Sequence, residues 1–308
     1  MADPTAPLTA PPIAHLTAAS IDPDLWCLFD KYVHVDIDRR AFLDRTARFA
    51  AASGTTAAAL LAALSPDFAQ AQKVAPGDAR LKTDFVEFAS PAGYGTVRAY
   101  IARPAQAAGP LPVVLVVHEN RGLNPHIQDI ARRLALDNFI AVAPDALFPL
   151  GGYPGDEDKA RELFAKLDQT KTREDFVTAA AYALSITGGN GKLGCVGFCY
   201  GGGMVNLLAT RVPGLLAGAP FYGAPAPSDQ AGRIKAELVL AFADNDERIN
   251  AAWPAFEAAL KSAGVKHEAF KYAGTQHGFN NDTTPRFDAA AAQLAWGRTL
   301  ALFNRTLR

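Results

Sequence analysis

The chain has 308 residues, with 30 Lys+Arg against 31 Asp+Glu and a formal net charge of −1. That balance argues against a broadly electrostatic nucleic-acid binder, and 49% hydrophobic with 20% charged residues excludes wholesale disorder. Three cysteines, Cys27, Cys195 and Cys199, are too few for a disulfide framework, and no zinc-spaced Cys/His cluster or run of ~20 apolar residues appears.

Residues 1–80 are Ala-rich and predict a helical arm; alternating strand and helix signals begin near residue 81. Leu25 to Val33 carries apolar residues at helical spacing. Arg39-Arg40-Ala41-Phe42-Leu43 resembles a twin-arginine export signal, followed by the weakly apolar run 49–64 and the small-x-small triplet Ala69-Gln70-Ala71. Two readings stay open: a signal giving a periplasmic protein, or a structural arm on a cytoplasmic one. Nearly forty residues before the arginines, and nearby Asp36, Asp38 and Asp44, belong to the second.

Residues 84–89 and 96–102 alternate in period two around a Ser-Pro-Ala-Gly turn, predicting a hairpin. Apolar runs at 113–117 and 139–143 predict strands buried on both faces. Further strands are predicted at 193–198, 216–222, 236–243 and 267–272. Helices are predicted at 126–137, 173–186, 200–211, 253–263 and 287–306. Strands separated by helices imply one mostly parallel twisted sheet covered on both faces, an α/β fold.

Gly197-Phe198-Cys199-Tyr200-Gly201 joins a predicted strand to a predicted helix and fits the Gly-x-nucleophile-x-Gly elbow, with cysteine as nucleophile. A helix N-terminus favours a thiolate there, and the peptide N–H of Tyr200 becomes an oxyanion donor. Cys195, four residues earlier in the strand, reads as core. His277, in the polar loop after strand 267–272, is the candidate base. Strand 236–243 ends in Asp244-Asn245-Asp246, so either acid can orient it, with Asp246 preferred. The loop Glu119-Asn120-Arg121-Gly122 after strand 113–117 offers a carboxylate to the thiol and, from Asn120, a second oxyanion donor. Tyr153, Phe198, Tyr222 and Phe279 are aromatic candidates for a pocket, and equally for the core.

Together with His118-Glu119-Asn120-Arg121-Gly122-Leu123, Ala143-Pro144-Asp145 and His277-Gly278-Phe279, these motifs resemble the dienelactone hydrolase family (carboxymethylenebutenolidases), cysteine members of the α/β-hydrolase fold. The resemblance covers roughly 82–308. It implies a Cys199–His277–Asp246 triad, with Glu119 holding the resting cysteine, in a catalytic domain spanning 81–308. It also implies hydrolysis of a small ester or lactone, with no metal or organic cofactor. The best-known members carry an arginine shortly after the catalytic histidine to bind a carboxylate; here that stretch reads Phe279-Asn280-Asn281-Asp282, leaving Arg121 or Arg286 as substitutes. A generic carboxylesterase or thioesterase, a cysteine redox protein and a non-catalytic binding protein remain alternatives. Oligomeric state is not legible.

Overall fold

The computed structural model describes residues 21–34, 36–52, 56–67 and 72–308. Its centre is an eight-stranded sheet in the order β1-β2-β4-β3-β5-β6-β7-β8. The strands are β1 Leu81–Ser90, β2 Gly95–Pro104, β3 Leu111–Val117, β4 Ile140–Pro144, β5 Gly189–Phe198, β6 Leu215–Phe221, β7 Glu237–Asn245 and β8 His267–Gln276. The hairpin β1–β2 adds antiparallel to β4, and all later neighbours run parallel. The central strands carry β-branched runs because both faces are covered; Val113 to Val117 are wholly buried.

Strand order reverses at β3. Helix α4 (Pro125–Leu136) leads from β3 to β4 on one face, and α5 (Glu157–Phe164) with α6 (Gln169–Leu184) leads back to β5 on the other. A crevice therefore opens at the carboxyl ends of β3 and β5, the place where open α/β sheets bind ligands. Helices α7 (Tyr200–Arg211) and α9 (Trp253–Ser262) share the face of α6, while α10 (Ala289–Leu307) packs beside α4. Capping marks the starts: Asn124, Asp168 and Asp288 side chains accept from the first-turn N–H groups of α4, α6 and α10. Two short helices went unread in the sequence, α5 and the four-residue α8 (Glu247–Asn250). Their apolar positions are too few to register as a period.

The arm folds as α1 (Pro23–Val33), α2 (Arg39–Ala52) and α3 (Ala57–Leu64) around Trp26, Phe29, Tyr32, Phe42 and Leu64. It is tied to the sheet domain. Tyr32 Oη donates to Asp158 at 2.6 Å, Arg39 pairs with Asp158 at 2.8 Å, and Arg161 lies 3.7 Å over the Tyr32 ring. The twin arginines occupy the first turn of α2, and Phe42 behind them is fully buried. The triplet Ala69-Gln70-Ala71 lies outside the described residues.

Candidate active site

Cys199 is the single residue between β5 and α7, with φ 54° and ψ −113°. That backbone costs a non-glycine residue ~1–3 kcal/mol and is held by its surroundings. Here Cys199 N–H donates to Phe221 O and Gly203 N–H to Cys199 O, both at 3.1 Å. The flanking glycines are obligatory. A Cβ on Gly197 would sit 2.2 Å from the Gly201 carbonyl oxygen, and one on Gly201 2.3 Å from that of Val117. The sulfur thus sits at the N-terminus of a three-turn helix, where the positive end of the dipole faces it. As the first helical residue, Tyr200 has an N–H without an intrahelical acceptor.

His277, in the turn after β8, places Nδ1 2.5 Å from Asp246 Oδ2. Asp246 is 4% exposed and also caps α8 through Ile249 N–H at 3.4 Å. Asp244 takes no part: it is exposed and accepts from Gly274 N–H at 3.0 Å. The geometry therefore pairs the imidazole with Asp246, the preferred of the two acids. His277 Nε2 is buried with no hydrogen-bond partner among the described residues, and a nitrogen of this ring lies within 4.8 Å of the sulfur.

On the other side of the sulfur stands His34, just after α1, with Nε2 3.5 Å from Cys199 Sγ. Its ring meets that of His277 edge to face at 4.9 Å. Burial by itself would raise the Cys199 thiol. The charge of the neighbouring His277, then the hydrogen bond and charge of His34, outweigh it and bring the thiol down to about 6. Burial likewise disfavours charge on His277, but the thiolate and Asp246 carry its imidazole up to about 10. Both shifts favour a thiolate–imidazolium pair at neutral pH. One ligand atom each of His34, Cys199 and His277 lies within 4.8 Å of the other two, so the two imidazoles and the sulfur form one compact cluster.

Two cavities meet at Cys199. One, of about 570 Å³, is bordered by His34, Asn120, Tyr200, Tyr222, Arg173 and Arg248. The other, of about 40 Å³, lies among Glu119, Arg121, His277, Asn281 and Arg286. Glu119 accepts from Asn281 Nδ2 at 3.0 Å, and the sulfur's hydrogen bond is to His34. Asn120 borders both cavities, its side chain donating to Val33 O of the arm at 2.8 Å. Both arginines suggested for a substrate carboxylate are engaged. Arg121 pairs with Glu157 at 2.7 Å, and Arg286 Nη1 donates to His277 O at 2.9 Å.

Two expectations need correction. Phe198 and Phe279 line neither cavity; at 1% and 0% exposure they pack with Phe221 and Tyr222 beneath the elbow. Alternation along β5 turns Phe198 into the core, while the exposed corner belongs to the next residue. Tyr222 does border the larger cavity, and its buried hydroxyl has no hydrogen-bond partner among the described residues. Tyr153 donates to Glu157 at 2.9 Å, at the rim of the Arg121 pair. Cys195 is fully buried in the core as read, and burial raises its thiol. His118 is likewise structural: Nε2 accepts from Ala146 N–H and Nδ1 lies against Glu119 O, joining the loops after β3 and β4.

Sequence reasoning missed Asp30 and His34. The signal was an acid and a histidine four apart at the end of a predicted amphipathic helix, a spacing that brings side chains together. Nothing local said that this helix end reaches a cysteine 165 positions away. Arg161, Arg173 and Arg248 were missed because no pattern links them before the chain folds.

A family model described as "Dienelactone hydrolase family" matches residues 97–307, and one described as "YqhI-like" matches 14–51. An Escherichia coli K12 protein provisionally named as a carboxymethylenebutenolidase is 34% identical over 222 residues, 67% of this chain and 82% of that one. The hydrolase fragment YghX of the same organism is 49% identical over 115 residues, 37% of this chain and 98% of its own. A Klebsiella pneumoniae crystal structure provisionally named as a dienelactone hydrolase superposes with a TM-score of 0.64 at 30% identity, covering 73% of this chain and 99% of that one. With its reversed strand order, its elbow at the end of β5 and a family match over most of its length, the chain belongs to the dienelactone hydrolase family and has the α/β-hydrolase fold.

Proposed function

We propose that the protein hydrolyses a small ester or lactone through a thioester on Cys199, with His277 as acid and base and Asp246 orienting it. The observation that carries this reading is the continuous line from sulfur to imidazole to buried carboxylate at a strained elbow. The thiolate attacks the carbonyl carbon, and the N–H groups of Tyr200 and Asn120 receive the oxyanion. One such donor typically contributes about 2.7–4 kcal/mol. Collapse breaks the C–O bond as His277 gives its Nε2 proton to the departing oxygen. Water then loses a proton to His277 and attacks the thioester. The second collapse releases the carboxylic acid and returns the thiolate–imidazolium pair.

The larger cavity supports a substrate bearing an anionic group. Arg173 borders it, as do Arg248 beside His34 and Arg161 beside Asp158, and among the described residues no carboxylate does. These residues take the place left by the arginine missing after His277. The smaller cavity holds little more than water and does not suit a lactone ring.

The arm belongs to the working enzyme in this reading, because Asp158, Asn120 and Arg286 all bond to it. Export and arm retention are tested together by the mass of the chain recovered from periplasm and cytoplasm. Function is tested by turnover of a dienelactone, simple lactones, short aryl esters and a thioester, with wild type and Cys199→Ala. Loss of turnover in the variant is expected; equal turnover would remove Cys199 as nucleophile.

A further inference from the structure

The mechanism uses one imidazole, yet the sulfur has two. His34 presents Nε2 to Cys199 at 3.5 Å, and its Nδ1 lies 2.9 Å from the carbonyl and 3.5 Å from the carboxylate of Asp30, one helical turn earlier. Asp30 Oδ1 accepts from Arg286 Nη1 at 3.3 Å, and the same nitrogen donates to His277 O. Two histidine–aspartate pairs therefore flank the nucleophile, one from the sheet domain and one from the arm, braced by a single guanidinium. Glu119, the acid on the β3 loop, is occupied with Asn281.

We propose that His34, backed by Asp30, is a second catalytic imidazole: its Nε2–H donates to the sulfur and holds Cys199 as the thiolate before substrate arrives. The proposal rests on Cys199 being the nucleophile and adds what keeps it ionised. It also divides the labour. His34 keeps its proton on the sulfur side during the resting state, while the proton on His277 is available to the leaving oxygen.

The charged groups around His34 are Asp30 on α1, Cys199 at the elbow, His277 after β8, Arg286 behind Asp30 and Arg248 on α8. Burial disfavours the imidazolium, but the bonds to Asp30 and Cys199 outweigh it and raise His34 to about 9. Arg248 is the competitor: its Nη2 lies 2.9 Å from the same Nε2, and a guanidinium only donates. A ring accepting from Arg248 is neutral and has no N–H left for the sulfur. Charge-assisted hydrogen bonds are about twice as strong as neutral ones, and the Arg248 side chain is exposed and can turn outward. The protonated ring on the sulfur is therefore the favoured state.

The test is titration of the thiolate by its ultraviolet absorbance in the full-length chain. A Cys27→Ser background removes the exposed competing thiol. Wild type, His34→Gln, Asp30→Asn and His277→Asn are compared without substrate. His34→Gln and Asp30→Asn are expected to raise the Cys199 thiol by about 1 unit, leaving ~10-fold less thiolate below the new value. His277→Asn is expected to keep a thiol still below that of free cysteine. In kcat/KM, the acid limb moves up with His34→Gln, which loss of mere packing would not cause. A His34→Gln thiol unmoved within about 0.3 unit, or a fully ordinary thiol in His277→Asn, would overturn the proposal. If His34→Gln does not fold, Asp30→Asn decides by the same shift. Undiminished turnover by Cys199→Ala would defeat the parent reading instead, and the thiol titration is read independently of turnover.

Discussion

Replacing Asp246 by Asn tests the triad at its most buried bond. The carboxylate is isosteric with the amide, so the α8 cap from Asp246 to Ile249 N–H survives through the side-chain oxygen. The amide NH₂ then faces His277 Nδ1, which has to accept rather than donate. The imidazole loses its counter-charge, and its proton is confined to Nε2, where it cannot take one from water. A hydrogen bond to a charged group contributes ~1.5–3 kcal/mol, which alone is roughly 10- to 100-fold in rate. The wrong tautomer adds to this, and analogous changes in serine triads reach about 10,000-fold. A cysteine nucleophile already ionised depends less on the base for attack, so kcat/KM should fall ~100- to 1,000-fold. The alkaline limb of the pH profile should move down from about 10, because Asp246 helps hold the His277 proton. Steady-state kinetics on an activated ester, with circular dichroism to verify folding, measures both. Asp244→Asn, whose amide oxygen can still accept the exposed bond from Gly274 N–H, should stay within about 2-fold. The reasoning fails if Asp246→Asn stays within about 3-fold of wild type, or if Asp244→Asn is the more damaging.

The resting ion pair sets a pH window: kcat/KM should decline below about 6, where Cys199 protonates, and above about 10, where His277 loses its proton. For stability, the lowered thiol contributes above its unfolded value and is lost as pH falls through about 6. The raised imidazole contributes below its unfolded value and is lost as pH rises through about 10. An acid limb near the ordinary thiol value of about 8.5 would mean a neutral resting cysteine. Two glycines should respond in opposite ways to alanine. Gly201→Ala would set a Cβ 2.3 Å from Val117 O and 2.7 Å from His118 O, both backbone, and should cost ~3 kcal/mol or more by thermal unfolding. Gly297 on α10 has open space around it, and Gly297→Ala should stabilise by ~1 kcal/mol. Asp282 is 5% exposed at its side chain between Arg133 at 2.7 Å, Lys73 at 2.9 Å and His126 at 3.2 Å. Asp282→Ala removes the partner shared by Arg133, Lys73 and His126, but Arg133 keeps Asp129 and Lys73 reaches solvent, so the cost should be ~1–3 kcal/mol in urea unfolding. Burial opposes its ionisation, but these partners hold it well below the usual carboxylate range. Its contribution is thus present at neutral pH and is lost in acid.

Local signals in the sequence were enough for the sheet and for the corner that carries Cys199. Runs such as Val113 to Val117 can be buried only between two helical layers, and the Gly197 and Gly201 positions admit no side chain, so strand, elbow and helix were readable in order. The assignment of Cys195 to the core followed from its place within the same strand. What the sequence left open was every relation between distant segments. Asp244 and Asp246 are equivalent as strand-end acids, and only the β7–β8 register and the turn into α8 bring Asp246, not Asp244, under His277. Phe198 and Phe279 look like pocket aromatics until strand alternation, for Phe198, and the turn after β8, for Phe279, put them in the core. The arm was the hardest case, because a short Ala-rich helical segment reads equally as a signal or as structure. Its Asp30 and His34 acquire meaning only when packing on Asp158, Asn120 and Arg286 carries them to the Cys199 sulfur. Periodicity records which face of an element is buried. Which partner it meets there is decided by packing and electrostatics summed over the whole chain.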